Sequence, residues 1–171
     1  MTQITFEEKP DVGVYTCVIP YPIDATVVCL NVDGVQEKRY RTEVGGGTVG
    51  RITVSQKPHY QKEKLHPGLG LYIVQKGWVA ILTKDGDTYN VDIGFAGADN
   101  IFFVMAPANV WYGAFLSGPV AFTYAASNNV TGQVREYEKP MPSESEILEL
   151  FGQQHRLKPE DVAALVIKSM Q

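Results

Sequence analysis

Short apolar runs rich in β-branched and aromatic side chains recur along the first three quarters of the chain, at residues 14–19, 26–31, 50–56, 71–75, 78–83, 88–93, 101–105 and 120–125. Clusters of Gly, Pro, Asn and Asp separate them, which is the pattern of strands joined by turns. Lys84-Asp85-Gly86-Asp87 lies between two runs and reads as a hairpin, because Gly supplies the positive φ that tight turns need. Gln75-Lys76-Gly77 reads as another tight connection. This number and spacing of strands predicts an all-β domain, an antiparallel barrel either closed or sandwiched.

The period changes near the carboxy terminus. Ser143-Glu144-Ser145-Glu146 is a capping box, in which the Ser hydroxyl bonds the free amide three residues on while Glu146 reaches back. Ile147, Leu148, Leu150 and Phe151 then form one helical apolar face. A second helix is expected to start near Pro159, a residue suited to the first helical turn, and to carry Val162, Leu165, Val166 and Met170. The organisation expected is a β-barrel over residues 1–142 and a helical appendage over residues 143–171 that packs on it, since so short a segment is too small for its own core.

Length and charge narrow the function. A chain of 171 residues with 44% hydrophobic positions supports one domain with a proper core. The net charge of −4, with no basic block, offers no footprint for nucleic acid. No apolar run approaches the ~18 residues of a membrane helix, and the amino terminus has no charged-then-apolar signal pattern. A soluble, cytoplasmic protein without nucleic-acid or membrane partners is the expectation. Cys17 and Cys29 lie inside apolar runs and are expected to be buried, reduced thiols.

The most informative stretch runs from Lys64 to Tyr112. Lys64-Leu65-His66-Pro67-Gly68-Leu69-Gly70, then Gly77, then Pro107-Ala108-Asn109-Val110-Trp111-Tyr112, is similar in spacing to the cupin superfamily, a jelly-roll barrel. The resemblance implies four ligand positions, occupied here by Lys64, His66, Gly70 and Tyr112. A protonated Lys cannot ligate, Gly has no side chain, and one His cannot hold a transition metal alone. A pocket that works without metal or other cofactor is therefore expected.

Within cupins the chain most resembles ureidoglycolate lyases (ureidoglycolate hydrolases). The matching pieces are Asn31-Val32-Asp33-Gly34-Val35-Gln36-Glu37-Lys38-Arg39-Tyr40, Glu63-Lys64-Leu65-His66-Pro67, Lys76-Gly77-Trp78-Val79 and Asn109-Val110-Trp111. Where the family commonly has His after Asn-Val-Trp, this chain has Tyr112-Gly113. The resemblance implies cleavage of ureidoglycolate, a small carboxylate, to glyoxylate and urea, and association as a homodimer. That chemistry needs a base for the substrate hydroxyl and a donor for the departing nitrogen. His66 is the candidate base, because imidazole titrates near neutrality when unperturbed, and Tyr112 is the candidate acid. Lys64, with Arg51 and Lys76, is the candidate carboxylate anchor. Tyr72, Asn109 and Trp111 complete the candidate substrate-binding set.

Each residue also has a structural reading. His66 can serve to order a loop, and Tyr112 and Trp111 can be barrel-mouth aromatics. Arg51 alternates with Ile52 and Val54, so it reaches the pocket only if their face is not the inner one. Two further functions stay open. One is a metal-free epimerase or isomerase acting on a nucleotide-linked sugar; the other is a non-catalytic barrel that binds a ligand.

Overall fold

The computed structural model describes the backbone of residues 5–9, 14–18, 26–32, 35–44, 48–98, 102–126, 132–138 and 140–171, with side chains described at residues 53, 55–98, 102–125, 132–138 and 140–171. Two sheets carry the domain. The first runs, edge to edge, β10 (Phe103–Ala106), β7 (Gly70–Lys76), β12 (Val120–Ala126), β5 (Thr48–Ser55), β4 (Val35–Val44) and β3 (Thr26–Val32). The second runs β13 (Gln133–Arg135), β6 (His59–Leu65), β11 (Trp111–Leu116), β8 (Trp78–Asp85) and β9 (Thr88–Phe95). A separate ribbon pairs β1 (Thr5–Lys9) with β2 (Val14–Val18).

All these pairings are antiparallel, and from β5 onward the chain passes repeatedly from one sheet to the other, as in a double-sheet jelly roll. Among the described residues no ladder joins the two sheets across their edges. The sandwiched alternative is thus the form observed. Five strands, β1, β4, β6, β11 and β13, do not appear among the runs read from the sequence. Cys17 and Cys29 fall in β2 and β3, where their side chains lie outside the described residues.

Burial explains the sequence of β8. Five successive residues, Trp78 to Leu82, are buried because both faces of the second sheet are covered. Val79 and Ile81 face the first sheet, in a core with Tyr72, Val74, Leu116 and Phe122. Trp78, Ala80 and Leu82 face the other way, in a core with Phe95, Phe115, Ile147, Phe151 and Val162. Gly77 makes the link from β7 to β8: it adopts φ +69°, and a Cβ there would collide with the Pro119 carbonyl and the Ser117 hydroxyl.

The outer core depends on α1 (Glu144–Gln154) and α2 (Pro159–Ser169). The expected capping box is present. Ser143 Oγ accepts from the Glu146 amide, and the Ser143 amide donates 2.7 Å to Glu146 Oε2. Pro159 opens α2 in its first turn, as expected. Among the described residues no helix is long and apolar enough to cross a membrane.

Candidate functional site

Pairing of β6 with β11 sets Lys64 opposite Tyr112 and Gln61 opposite Ala114, with a register shift between the two rungs. Tyr112 and Ala114 belong to the inter-sheet core, so the shift brings residues three apart, Gln61 and Lys64, to the same inward face. Lys64 Nζ donates a short hydrogen bond to Gln61 Oε1, and Gln61 is 4% exposed. From the facing sheet comes Tyr72, whose hydroxyl lies 3.4 Å from that of Tyr112. Both rings are fully buried. Tyr72 also packs edge-on against Tyr124, with ring centroids 4.9 Å apart, and tilted against Phe122 at 5.3 Å.

A further inward position, Thr53, lies on β5. Thr53 shares a rung with Phe122 and is completely buried, and its Oγ1 has no hydrogen-bond partner among the described residues. The backbone of Arg51 shares a rung with Tyr124 on one side and Arg41 on the other, and its side chain lies outside the described residues.

His66 stands at the rim, just after β6. Its Nδ1 lies 3.1 Å from the Gly68 amide, and its carbonyl accepts the Asn109 amide at 2.8 Å. Gly132 backs the ring so closely that a Cβ there would come within 3.1 Å of His66 Cδ2. Asn109 takes a left-handed conformation, φ +57°, for which Asn is among the better-suited side chains. His66 and Asn109 therefore clamp two rim turns together.

Two candidates are placed elsewhere. Trp111 has the opposite phase to Tyr112, and its ring is stacked by the Arg135 guanidinium at 4.1 Å. Arg135 Nε in turn donates 2.5 Å to Glu63 Oε2, a bond that raises the guanidinium pKa. Nearby, burial pushes the Tyr137 phenol well above its ordinary value, with Glu63 adding to the effect. Lys76 ends β7 at the far side of the sheet, four residues or ~13 Å along the strand from Tyr72. A register shift at Ala121 pairs it with that outward-phased residue. Neither Trp111 nor Lys76 joins the inward group.

Gln61, Tyr124 and Thr53 are the inward residues that sequence reasoning missed. Strict alternation from Lys64 assigns Gln61 to the other face, and only the register shift overturns that assignment. His155, an exposed residue, stacks on Phe151 at 4.4 Å and lies 3.3 Å from the Val91 carbonyl of β9.

The donor set does not fit a transition metal. Lys64 is a donor to Gln61, and a side chain at Gly70 would meet the Tyr124 ring at 2.8 Å. Tyr112 is turned toward Tyr72. Among the described residues no three His, Cys, Asp or Glu side chains cluster.

Comparison with known proteins agrees with this topology. No protein-family model matches the sequence, and no curated protein matches it. Solved structures do. A deletion variant of Bacillus subtilis oxalate decarboxylase superposes with a TM-score of 0.50 at 9% identity, covering 83% of this chain and 37% of that protein. Lactobacillus farciminis oxalate decarboxylase, in its formate complex, gives 0.50 at 12% identity, covering 83% and 42%. A cupin-superfamily protein from Desulfitobacterium hafniense gives 0.42 at 13% identity, covering 53% and 76%. The chain spans about two fifths of the length of the oxalate decarboxylases it matches. None of these three is named as a ureidoglycolate lyase. At such identities the likeness of the two oxalate decarboxylases speaks for the fold alone.

Proposed function

We propose that the protein is a metal-independent lyase that cleaves the C–N bond of a small hydroxy-carboxylate of the ureidoglycolate type, releasing glyoxylate and urea. The observation that carries this reading is the inward pairing of Lys64 with the Tyr72–Tyr112 hydroxyl pair. A half-buried ammonium and two buried phenols on one inward face supply what such a substrate needs. The cation meets the carboxylate, and a charge-assisted hydrogen bond in a site shielded from water is stronger than one in solution. Arg51, the anchor expected from the sequence, is the second carboxylate partner in this reading.

In the reaction, a base takes the substrate hydroxyl proton as the C–N bond breaks and the carbonyl forms. Tyr112 donates a proton to the departing urea nitrogen, and Tyr72 hydrogen-bonds the phenolate left behind. His66 at the rim is the base: with Nδ1–H donating to the Gly68 carbonyl at 3.1 Å, the ring is oriented and Nε2 is free to take the proton. The protein acts as a homodimer in this reading, because open sheet edges favour association.

A second reading, a ligand-binding jelly roll without catalysis, is favoured by the near-zero exposure of Tyr72, Tyr112 and Phe122, which packs aromatic rings where a substrate would lie. Glyoxylate release from racemic ureidoglycolate separates the two, measured with chelator-treated protein against a protein-free control. Release above the control supports the lyase. A rate equal to the control, in protein that still shows ligand-induced thermal shifts with small carboxylates, leaves the binding reading in its place.

A further inference from the structure

Strands β9 and β10 are edges of opposite sheets and form a seam. At Gly94 they approach so closely that a Cβ would lie 2.9 Å from the Phe103 carbonyl carbon. Toward the start of β9 a cleft of about 570 Å³ opens beside them, within the ~300–1,000 Å³ typical of small-molecule sites.

The cleft has two chemically different walls. The rungs Thr83–Asn90 and Ile81–Asp92 of β8 and β9 form the polar one. Leu69, Met105 and Pro107 form the apolar one, and Leu69 and Met105 are each more than half exposed. The end of α1 closes a third side. Gln154 Nε2 donates to the Tyr89 carbonyl and its Oε1 accepts the Val91 amide, both at 2.8 Å, so one side-chain amide stands in for a strand on the free edge of β9. His155 Nε2 lies 3.3 Å from the Val91 carbonyl and 3.3 Å from Asp92 Oδ1, which fixes the carboxylate over the cleft.

Ligand class follows from this lining. Among the described residues no protein hydrogen bond engages the side chains of Thr83 or Asn90, so with Asp92 they offer acceptors and donors to a guest. Among the described residues no Lys or Arg lines the cleft, and Asp92 repels an anion. A wholly apolar guest would strip the polar wall of water and leave it unpaired, at ~1–3 kcal/mol per group. An uncharged ring with hydroxyls on one edge and C–H groups on one face satisfies both walls. We propose that this cleft binds an uncharged, polyhydroxylated small molecule of monosaccharide size. Its hydroxyls lie on Thr83, Asn90 and Asp92, and its aliphatic face lies on Leu69, Met105 and Pro107. Thr83 pairs with Tyr112 across β8 and β11, so the cleft adjoins the inward group, and the proposal does not depend on the lyase reading.

The test is methyl NMR on the full chain, labelled at Met and Ile, titrated singly with glucose, galactose, mannose and ribose. Acetate, phosphate and methylammonium serve as charged controls. The expected result is saturable shifts at the Met105 and Ile81 methyls with at least one sugar, weakened tenfold or more in both Asn90→Ala and Asp92→Ala. Both positions are exposed, and unchanged Ile147 signals verify the fold of each variant. The proposal is overturned if no sugar shifts these methyls, if both variants bind as tightly as the parent, or if only a charged control shifts them.

Discussion

The two faces of the second sheet are both buried, but against different things and with different chemistry. Its outer face, under α1 and α2, is an apolar assembly of Trp78, Phe95, Phe115, Ile147 and Phe151. Its inner face, toward the first sheet, mixes aliphatic side chains with Gln61, Lys64 and the Tyr72–Tyr112 hydroxyl pair. Each side holds one buried polar atom without a partner among the described residues, Trp78 Nε1 outside and Thr53 Oγ1 inside. The difference lies in the charge and hydroxyls clustered within. Apolar burial contributes ~25 cal/mol per Å² regardless of what is buried next to it, whereas a buried ammonium and phenols lower stability unless each is hydrogen-bonded. The outer core therefore holds the fold together, and the inner face carries the groups on which the proposed lyase reading rests.

Substitutions on the two faces are expected to separate stability from activity. The largest stability effect belongs outside: Phe151→Ala should cost ~3–5 kcal/mol in denaturant unfolding. Tyr112→Phe is its inner counterpart. It removes one hydroxyl, shifts stability by no more than ~1.5 kcal/mol, and should lower glyoxylate release ~10²–10⁴-fold. A Tyr112→Phe protein that unfolds early and keeps its turnover would invert the comparison. Lys64→Met should raise KM for a carboxylate substrate with little change in kcat, and should leave binding of a neutral amide analogue unaltered.

Smaller effects sharpen the outer half. Ser143→Ala should cost ~0.5–2 kcal/mol by loss of the cap, read from the unfolding midpoint. Hydrogen bonds from the Ser143 hydroxyl and amide hold the Glu146 carboxyl below its ordinary value of 4.5. Its folded pKa is lower than its unfolded one, so its contribution is present above about 4.5 and is lost as pH falls through the folded value. The stability difference between the parent and Glu146→Gln should accordingly shrink on acidification below that pH.

What could be read from the sequence also divides along this line. The capping box at Ser143, the Pro159 helix start and the hairpin at Gly86-Asp87 were all legible, because each is local chemistry at fixed spacing. Strand β4, VQEKRYRTEV, was not, since charges on both of its faces erase the apolar alternation. Strand β6, HYQKEKL, failed for a related reason: the register shift puts Gln61 and Lys64 on one face at a spacing no alternation contains. Lys64 and Tyr112, singled out from the spacing of the sequence, share one rung of the second sheet. Tyr124 was not singled out, because its ring fills the space beside Gly70 from a strand more than fifty residues later, a contact with no local signature.

One measurement bears most directly on a metal-independent lyase built on the inner face: glyoxylate release from ureidoglycolate by chelator-treated parent and Tyr112→Phe proteins, side by side. The account expects release well above the spontaneous rate in the parent and near that rate in the variant, with both proteins folded. Equal rates in parent, variant and protein-free control would contradict it.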